Sequence, residues 1–244
     1  MINPIDALPS VRAAQHRVLL LLELLDGESA RAPSLLPGWS RGHLITHLAR
    51  NADAQRGMLE GTLRGEVVQM YPGGAEQRQR DIDGGANRSV DELIADYRTS
   101  ADRLERTWDL MDPVSWARSV HARSGIKPAT STIRVRWQEL ELHSVDLGLD
   151  RSAKDIDPRL IAVLLPDLMV GLPPRLTENP PTIIVEHPLL EGGAATLLGS
   201  LDERCTVSGS PAAVLSWLLG RTFDQSELKV SGSVSTAPVL AAWM

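Results

Sequence analysis

The chain has 244 residues, enough to bury one large core or two modest ones. Its formal net charge is -6, and its arginines are scattered while lysines number only three, which argues against nucleic acid or an anionic membrane as the main partner. A single cysteine, Cys205, excludes an internal disulfide framework and any cysteine-based zinc site, and is expected to be a small buried hydrophobe.

The opening Met1-Ile-Asn-Pro-Ile-Asp6 lacks a basic region followed by an apolar core, so no signal peptide is expected. Apolar residues recur at helical spacing from Ile5 to Leu25, and Asp26-Gly27 closes that helix. Its longest apolar run, Val18 to Leu25, is interrupted by Glu23 and falls far short of the roughly 20 residues that cross a bilayer. A soluble cytoplasmic protein is the expectation.

Leu36-Pro-Gly-Trp-Ser40 reads as a turn, with Ser40 as N-cap of a helix running to about Leu63 and stopping before Gly65. Met70-Tyr-Pro-Gly-Gly74 is a loop, and the capping box Ser89-Val-Asp-Glu92 opens a third helix that continues through Trp108. Pro113 and Ser124-Gly-Ile-Lys-Pro128 break the chain before a fourth helix that ends near Gly148. Four long amphipathic helices joined in this way predict a bundle.

After Asp150 the texture changes. One helix, about Pro158 to Val170, leads into the Pro-rich Leu172–Pro181 stretch. Short β-branched runs follow at Thr182–Glu186, Cys205–Ser208 and Leu228–Ser231, with a helix from Ala212 to Leu219 between the last two. This reads as a small α+β unit, with the boundary near residues 150–157.

Chemistry-bearing residues concentrate in the fourth helix. Glu139 and His143 are one turn apart, so they lie on one face about 6 Å apart along the axis, close enough to share a divalent ion. His47, from another helix, offers a third ligand. Three N/O ligands with one position open is the arrangement of a catalytic zinc site.

At 100° per residue, Ile133, Trp137, Leu140 and Leu147 form one apolar side of this helix, and Val135, Leu142, Val145 and Leu149 a nearly opposite one. Two polar stripes separate them. One holds Arg136, Glu139, His143, Asp146 and Asp150; the other holds Arg134, Gln138 and Glu141. A helix apolar on two sides is largely buried, so one stripe faces the interior or a cleft and solvent can take the other. Asp146 could orient His143. The spacing also fits a solvated acid–histidine contact with no metal.

His43 and His47 are themselves one turn apart and could form a two-histidine site, but His47 is preferred as ligand and His43 as a surface residue. His16, His121 and His187 lack partners at ligand spacing and read as ordinary surface or loop histidines. No Gly-x-Gly-x-x-Gly or Walker loop and no Gly-x-Ser-x-Gly elbow occurs. Gly220-Arg221 fits two readings: a glycine terminator with a cation at the negative end of the helix dipole, or a guanidinium that clamps a substrate carboxylate.

Two runs carry a family resemblance: Leu36-Pro-Gly-Trp-Ser-Arg-Gly-His-Leu-Ile-Thr-His47-Leu-Ala-Arg-Asn51-Ala and Arg136-Trp-Gln-Glu139-Leu-Glu-Leu-His143-Ser-Val-Asp-Leu-Gly148. Both resemble the mycothiol-dependent maleylpyruvate isomerases of the DinB-like metal-binding helical superfamily, as do Met70-Tyr71, Gly220-Arg221 and Trp243. The likeness covers nearly the whole chain and is weakest through residues 150–200. It implies a DinB-like metal-binding bundle over residues 1–152 and a C-terminal α+β domain over 153–244 that covers the site. It further implies zinc held by His47, Glu139 and His143, with Arg221 supporting activity. The implied reaction turns maleylpyruvate into fumarylpyruvate with mycothiol as cofactor, a step in gentisate breakdown. Two alternatives stay open: a mycothiol S-transferase acting on another electrophile, and a non-catalytic metal-binding regulatory module.

Overall fold

The computed structural model describes residues 4–172, 181–188, 190–197, 200–221, 225–234 and 236–240. The chain divides into two compact units, Met1–Arg151 and Ser152–Met244.

Four long helices build the first unit: α1 (Leu8–Leu22), α3 (Arg41–Arg64), α5 (Val90–Leu110) and α7 (Ser131–Asp146). Each packs on two others, α3 on α5 and α7, α1 on the same pair, which closes a four-membered ring. Val11 and Leu22 of α1, Leu44, Leu48 and Leu59 of α3, Leu93 and Leu104 of α5, and Ile133 and Leu140 of α7 are 0–1% exposed. Each such side chain contributes about 1.5–3 kcal/mol of burial, and they set the packing of the ring.

The helix ends follow local chemistry. Ser40 accepts from the main-chain N–H of His43, and the His43 ring returns the bond to the Ser40 main chain, so a histidine stands where a capping box ordinarily has Glu or Gln. Gly65, at φ 80°, takes the left-handed conformation that ends α3. Ser89 and Glu92 form the expected reciprocal cap of α5.

Three short elements differ from expectation. Pro113 starts α6 (Pro113–Ala117) rather than only breaking the chain, because Asp112 caps it and a proline suits a helix's first position. The segment around residues 119–128 is a hairpin, β1 (Ser119–Ala122) with β2 (Gly125–Pro128), and the His121 carbonyl takes the Met70 N–H at 2.9 Å. Beyond the Met70-Tyr71 loop lies α4 (Gly74–Gly85), a polar helix whose one buried residue is Ile82. A further short helix, α2 (Gly27–Arg31), is capped by Asp26.

Two glycines let α4 and its C-terminal end approach α3 closely. A Cβ on Gly42 would stand 2.1 Å from the Ala86 carbonyl oxygen, and one on Gly85 would stand 2.5 Å from Thr46 Cγ2. Gly42→Ala is therefore expected to push main chain apart and destabilise the protein by about 1–3 kcal/mol. Thermal melting checks this; a Gly42→Ala variant melting with the wild type would refute the close approach.

In the second unit, α8 (Pro158–Val170) packs on α9 (Pro211–Leu219). The sheet has the order β4 (Ala194–Leu197), β3 (Pro181–Glu186), β5 (Ser200–Gly209) and β6 (Leu228–Gly232), with β3 and β5 parallel and the other pairs antiparallel. Cys205 is fully buried on β5 beside Val207, and burial pushes its thiol pKa up, as a small core hydrophobe requires. His187 is a loop histidine, just after β3, but a buried one at 2% exposure, its main-chain N–H bonded to the Gly193 carbonyl. Most of the Pro-rich stretch and Trp243 lie outside the described residues. No helix among the described residues is long and apolar enough to cross a membrane.

Candidate metal centre

Helix α3 delivers His47 nearly two turns beyond its N-terminus, and α7 delivers Glu139 and His143 from its C-terminal half. Arg41 fixes the relation between these helix ends. Its guanidinium donates to the Leu147 and Gly148 carbonyls at 2.6 and 3.1 Å, just past α7, and to the Ser29 carbonyl at 3.0 Å. A cation there also complements the negative end of the α7 dipole.

The three side chains converge. His47 Nε2 lies 2.8 Å from Glu139 Oε2, and His143 Nε2 lies 3.2 Å from the same oxygen. One ligand atom from each of His47, Glu139 and His143 falls within 4.8 Å of the others, a group of metal-binding composition. The two rings meet edge-on with centroids 4.9 Å apart, and Trp39 packs 5.6 Å from His47. His47 is buried, whereas the Glu139 and His143 side chains keep 21% and 15% exposure, which leaves the cluster approachable from their side.

Charge is balanced through protons. Burial alone would lower the His143 pKa, but its bonds to Asp146 (Nδ1 to Oδ2, 2.9 Å) and Glu139 outweigh that and raise it to about 9. Burial would raise Glu139, yet the charges and hydrogen bonds of His47 and His143 hold it well below the usual carboxylate range. His47 is lowered, because burial outweighs the pull of Glu139.

Two imidazoles and a carboxylate are the donor set of a borderline cation such as zinc. The residues fit it: both Nε2 atoms already face one carboxylate oxygen, and Asp146 on His143 Nδ1 is the kind of partner that directs the ring's other nitrogen to a metal. Metal entry must then expel the His143 proton. Zinc affinity is expected to rise about tenfold per pH unit from pH 7 to about 9 and to flatten above it. Chelator competition across that range checks the slope, and a flat profile would overturn it. In the metal-free protein the sign is opposite. A raised pKa stabilises the fold below the unfolded histidine value of about 6.5, and that stabilisation is lost as pH rises through about 9.

Around the centre, structure and sequence part company at several residues. His43 is not a bare surface residue: it closes the α3 cap, lies 3.8 Å from Asp83 and stacks on Trp39 with ring centroids 6.3 Å apart. Glu141, on the polar stripe away from Glu139 and His143, is 1% exposed and ion-paired to Arg17 and Arg151, so that stripe too is buried at this position. Arg136 is 0% exposed and bonds the Leu48 carbonyl, Asn51 and Gln15. Arg78 of α4, which sequence reasoning did not single out, donates to His47 Nδ1 at 3.0 Å and rests 5.6 Å from the Tyr71 ring centroid. Burial raises the Tyr71 hydroxyl pKa, with Arg78, Glu139 and Asn51 also acting on it. Arg221 belongs to the second unit. Gly220 ends α9 at φ 65°, and Arg221 donates to the Leu219 carbonyl at 3.4 Å, in keeping with the terminator reading of the pair.

Fold and site together define a four-helix bundle that brings a His/Glu/His cluster of metal-ligand composition to neighbouring helices. Residues 11–148 match the model of the mycothiol maleylpyruvate isomerase N-terminal domain, and the chain belongs to that enzyme family. A solved structure of mycothiol-dependent maleylpyruvate isomerase is similar over 99% of this chain and 98% of its own, at 26% identity and a TM-score of 0.86. A histidine-to-alanine variant of such an enzyme matches with the same coverage and TM-score at 25% identity. No curated protein matches the chain.

Proposed function

We propose that this protein is a zinc- and mycothiol-dependent cis–trans isomerase that converts maleylpyruvate to fumarylpyruvate, a step in gentisate breakdown. The observation that carries the reading is the convergence of His47, Glu139 and His143 on one carboxylate oxygen, in a chain similar over 99% of its length to an enzyme of that name.

A C=C bond does not rotate at ambient temperature. A thiolate must add to one alkene carbon, the pair moving into the conjugated carbonyl as an enolate. The new single bond rotates, the enolate reforms the alkene and the thiolate departs unchanged. When bound, zinc supplies a Lewis acid that lowers a thiol's pKa toward neutrality. Within the chain, His47, Glu139 and His143 hold the metal, and Asp146 fixes the His143 ring with Nε2 toward it. The buried Cys205 cannot serve as the thiol, which supports an external one. Arg221 stabilises substrate or enolate charge in this proposal, on the strength of its match to the family's arginine.

Metal analysis coupled to a maleylpyruvate assay tests the reading. About one zinc per chain, turnover only with mycothiol and recovery of that thiol are expected. A persistent conjugate with stoichiometric thiol consumption would make the protein an S-transferase. Bound zinc with no thiol-dependent activity would leave a regulatory module. Arg221→Ala is expected to retain zinc and lose about 10²–10³-fold in turnover; wild-type rates would return Arg221 to a helix-capping role.

A further inference from the structure

The two histidines of the cluster are treated oppositely at their second ring nitrogen. His143 Nδ1 faces a carboxylate, Asp146, so this nitrogen carries the hydrogen. His47 Nδ1 faces the Arg78 guanidinium at 3.0 Å. A guanidinium only donates, so His47 Nδ1 must accept through its lone pair. In the neutral ring the hydrogen then sits on Nε2, pointing at Glu139 Oε2 2.8 Å away. Ligation through Nε2 requires the other tautomer, with its hydrogen on Nδ1, and two N–H donors would then confront each other. The Arg78–His47 bond and a metal on His47 Nε2 therefore exclude one another. Histidines that ligate metals ordinarily show this nitrogen to a carboxylate, a carbonyl or water.

Arg78 has what it needs to leave. Tyr71 lies beneath its guanidinium at cation–π distance. Its Nε is buried and makes no hydrogen bond, and no carboxylate among the described residues lies within ion-pair distance of it. A half-buried guanidinium whose Nε is an unused donor is suited to an anion, and it presents its donors as a fork that matches a carboxylate.

We propose that Arg78 is a metal-coupled carboxylate-binding residue: metal loading releases it from His47, and the released guanidinium binds a substrate carboxylate beside the reaction centre. This rests on the zinc reading above. By linkage, an anion that captures the free guanidinium must also tighten metal binding by the same factor.

The test is zinc affinity, measured by chelator competition on the full chain with and without maleate, for wild type, Arg78→Ala and Arg78→Met. Without maleate, both variants are expected to bind zinc about tenfold more tightly than wild type, since the competing bond is gone. Saturating maleate is expected to tighten zinc binding to wild type by about fivefold or more and to leave both variants unchanged. Variants that bind zinc as wild type does, or more weakly, would overturn the competition. Equal maleate coupling in all three proteins would overturn the carboxylate role. Wild-type protein that takes up no zinc would instead bring down the functional reading itself, which the wild-type titration shows by itself. The Met variant keeps a long unbranched side chain on α4, so the comparison stands if the Ala variant folds poorly.

Discussion

His143→Ala is expected to bind no stoichiometric zinc and to lose at least 10²–10³-fold in thiol-dependent turnover while the helical bundle remains folded. Removing one of three ligands leaves Glu139 and His47, too few to hold a catalytic zinc against water. Without the metal the thiol keeps its ordinary pKa and little thiolate is present at neutral pH, which by itself accounts for a loss of about that size. His47→Ala should match it in both respects, but the two variants differ in the metal-free state. His143 is the imidazolium between two carboxylates, 2.9 Å from Asp146 and 3.2 Å from Glu139, whereas His47 is kept neutral by burial. Metal-free His143→Ala is thus expected to melt below metal-free His47→Ala at pH 7, with the gap narrowing as pH passes about 9. Metal analysis and melting curves provide the check. Stoichiometric zinc retained by His143→Ala would sink the ligand assignment, and equal melting of the two metal-free variants would sink the charge argument.

The residues that proved legible in the sequence are those whose local chemistry and tertiary role coincide. Ser40, Ser89 and Gly65 mark helix ends by the same hydrogen bonds and backbone angle they adopt in the fold. Glu139 and His143 could be paired because i, i+4 spacing is a property of one helix. His47 could be preferred to His43 before the resemblance named it, because it lies closer to the apolar face of α3 that Leu44, Leu48 and Ala52 define. What escaped was set by other elements. Helix α4 has a single buried residue, so it carries no apolar stripe to betray it, and Arg78 hides among the other arginines and glutamines of a polar run. The burial of Glu141 could not be read from its helix, because its partners, Arg17 and Arg151, come from α1 and from beyond the end of α7. The hairpin at residues 119–128 has strands of four residues, shorter than any alternation that could distinguish them from loop.

Arg136 shows the same lesson in its strongest form, and its replacement should damage both fold and site. Placed on the polar stripe with Glu139 and His143, it turns out to be 0% exposed. Its Nη1 donates to the Leu48 carbonyl at 2.8 Å and to Asn51 Oδ1 at 3.0 Å, and its Nε to Gln15 Oε1 at 3.0 Å, so one side chain ties α7 to α3 and α1. Leu48 follows His47 directly, and Arg136 stands one turn before Glu139, so these bonds set the distance between the helices that carry the ligands. Arg136→Ala would strip the Asn51 and Gln15 carbonyls of a charged donor and leave a cavity, a combination expected to destabilise by about 3–5 kcal/mol. That corresponds to a melting temperature lower by on the order of 10 °C. Zinc affinity should fall about tenfold with it, because the ligands lose their fixed separation. Arg136→Lys should recover only part of either loss, since an ammonium cannot reproduce the planar fork that reaches three acceptors. Melting curves and chelator competition on the same samples decide the matter. An Arg136→Ala protein that loses stability but keeps wild-type zinc affinity would make this arginine a strut of the bundle alone, and one that keeps both would remove it from the account.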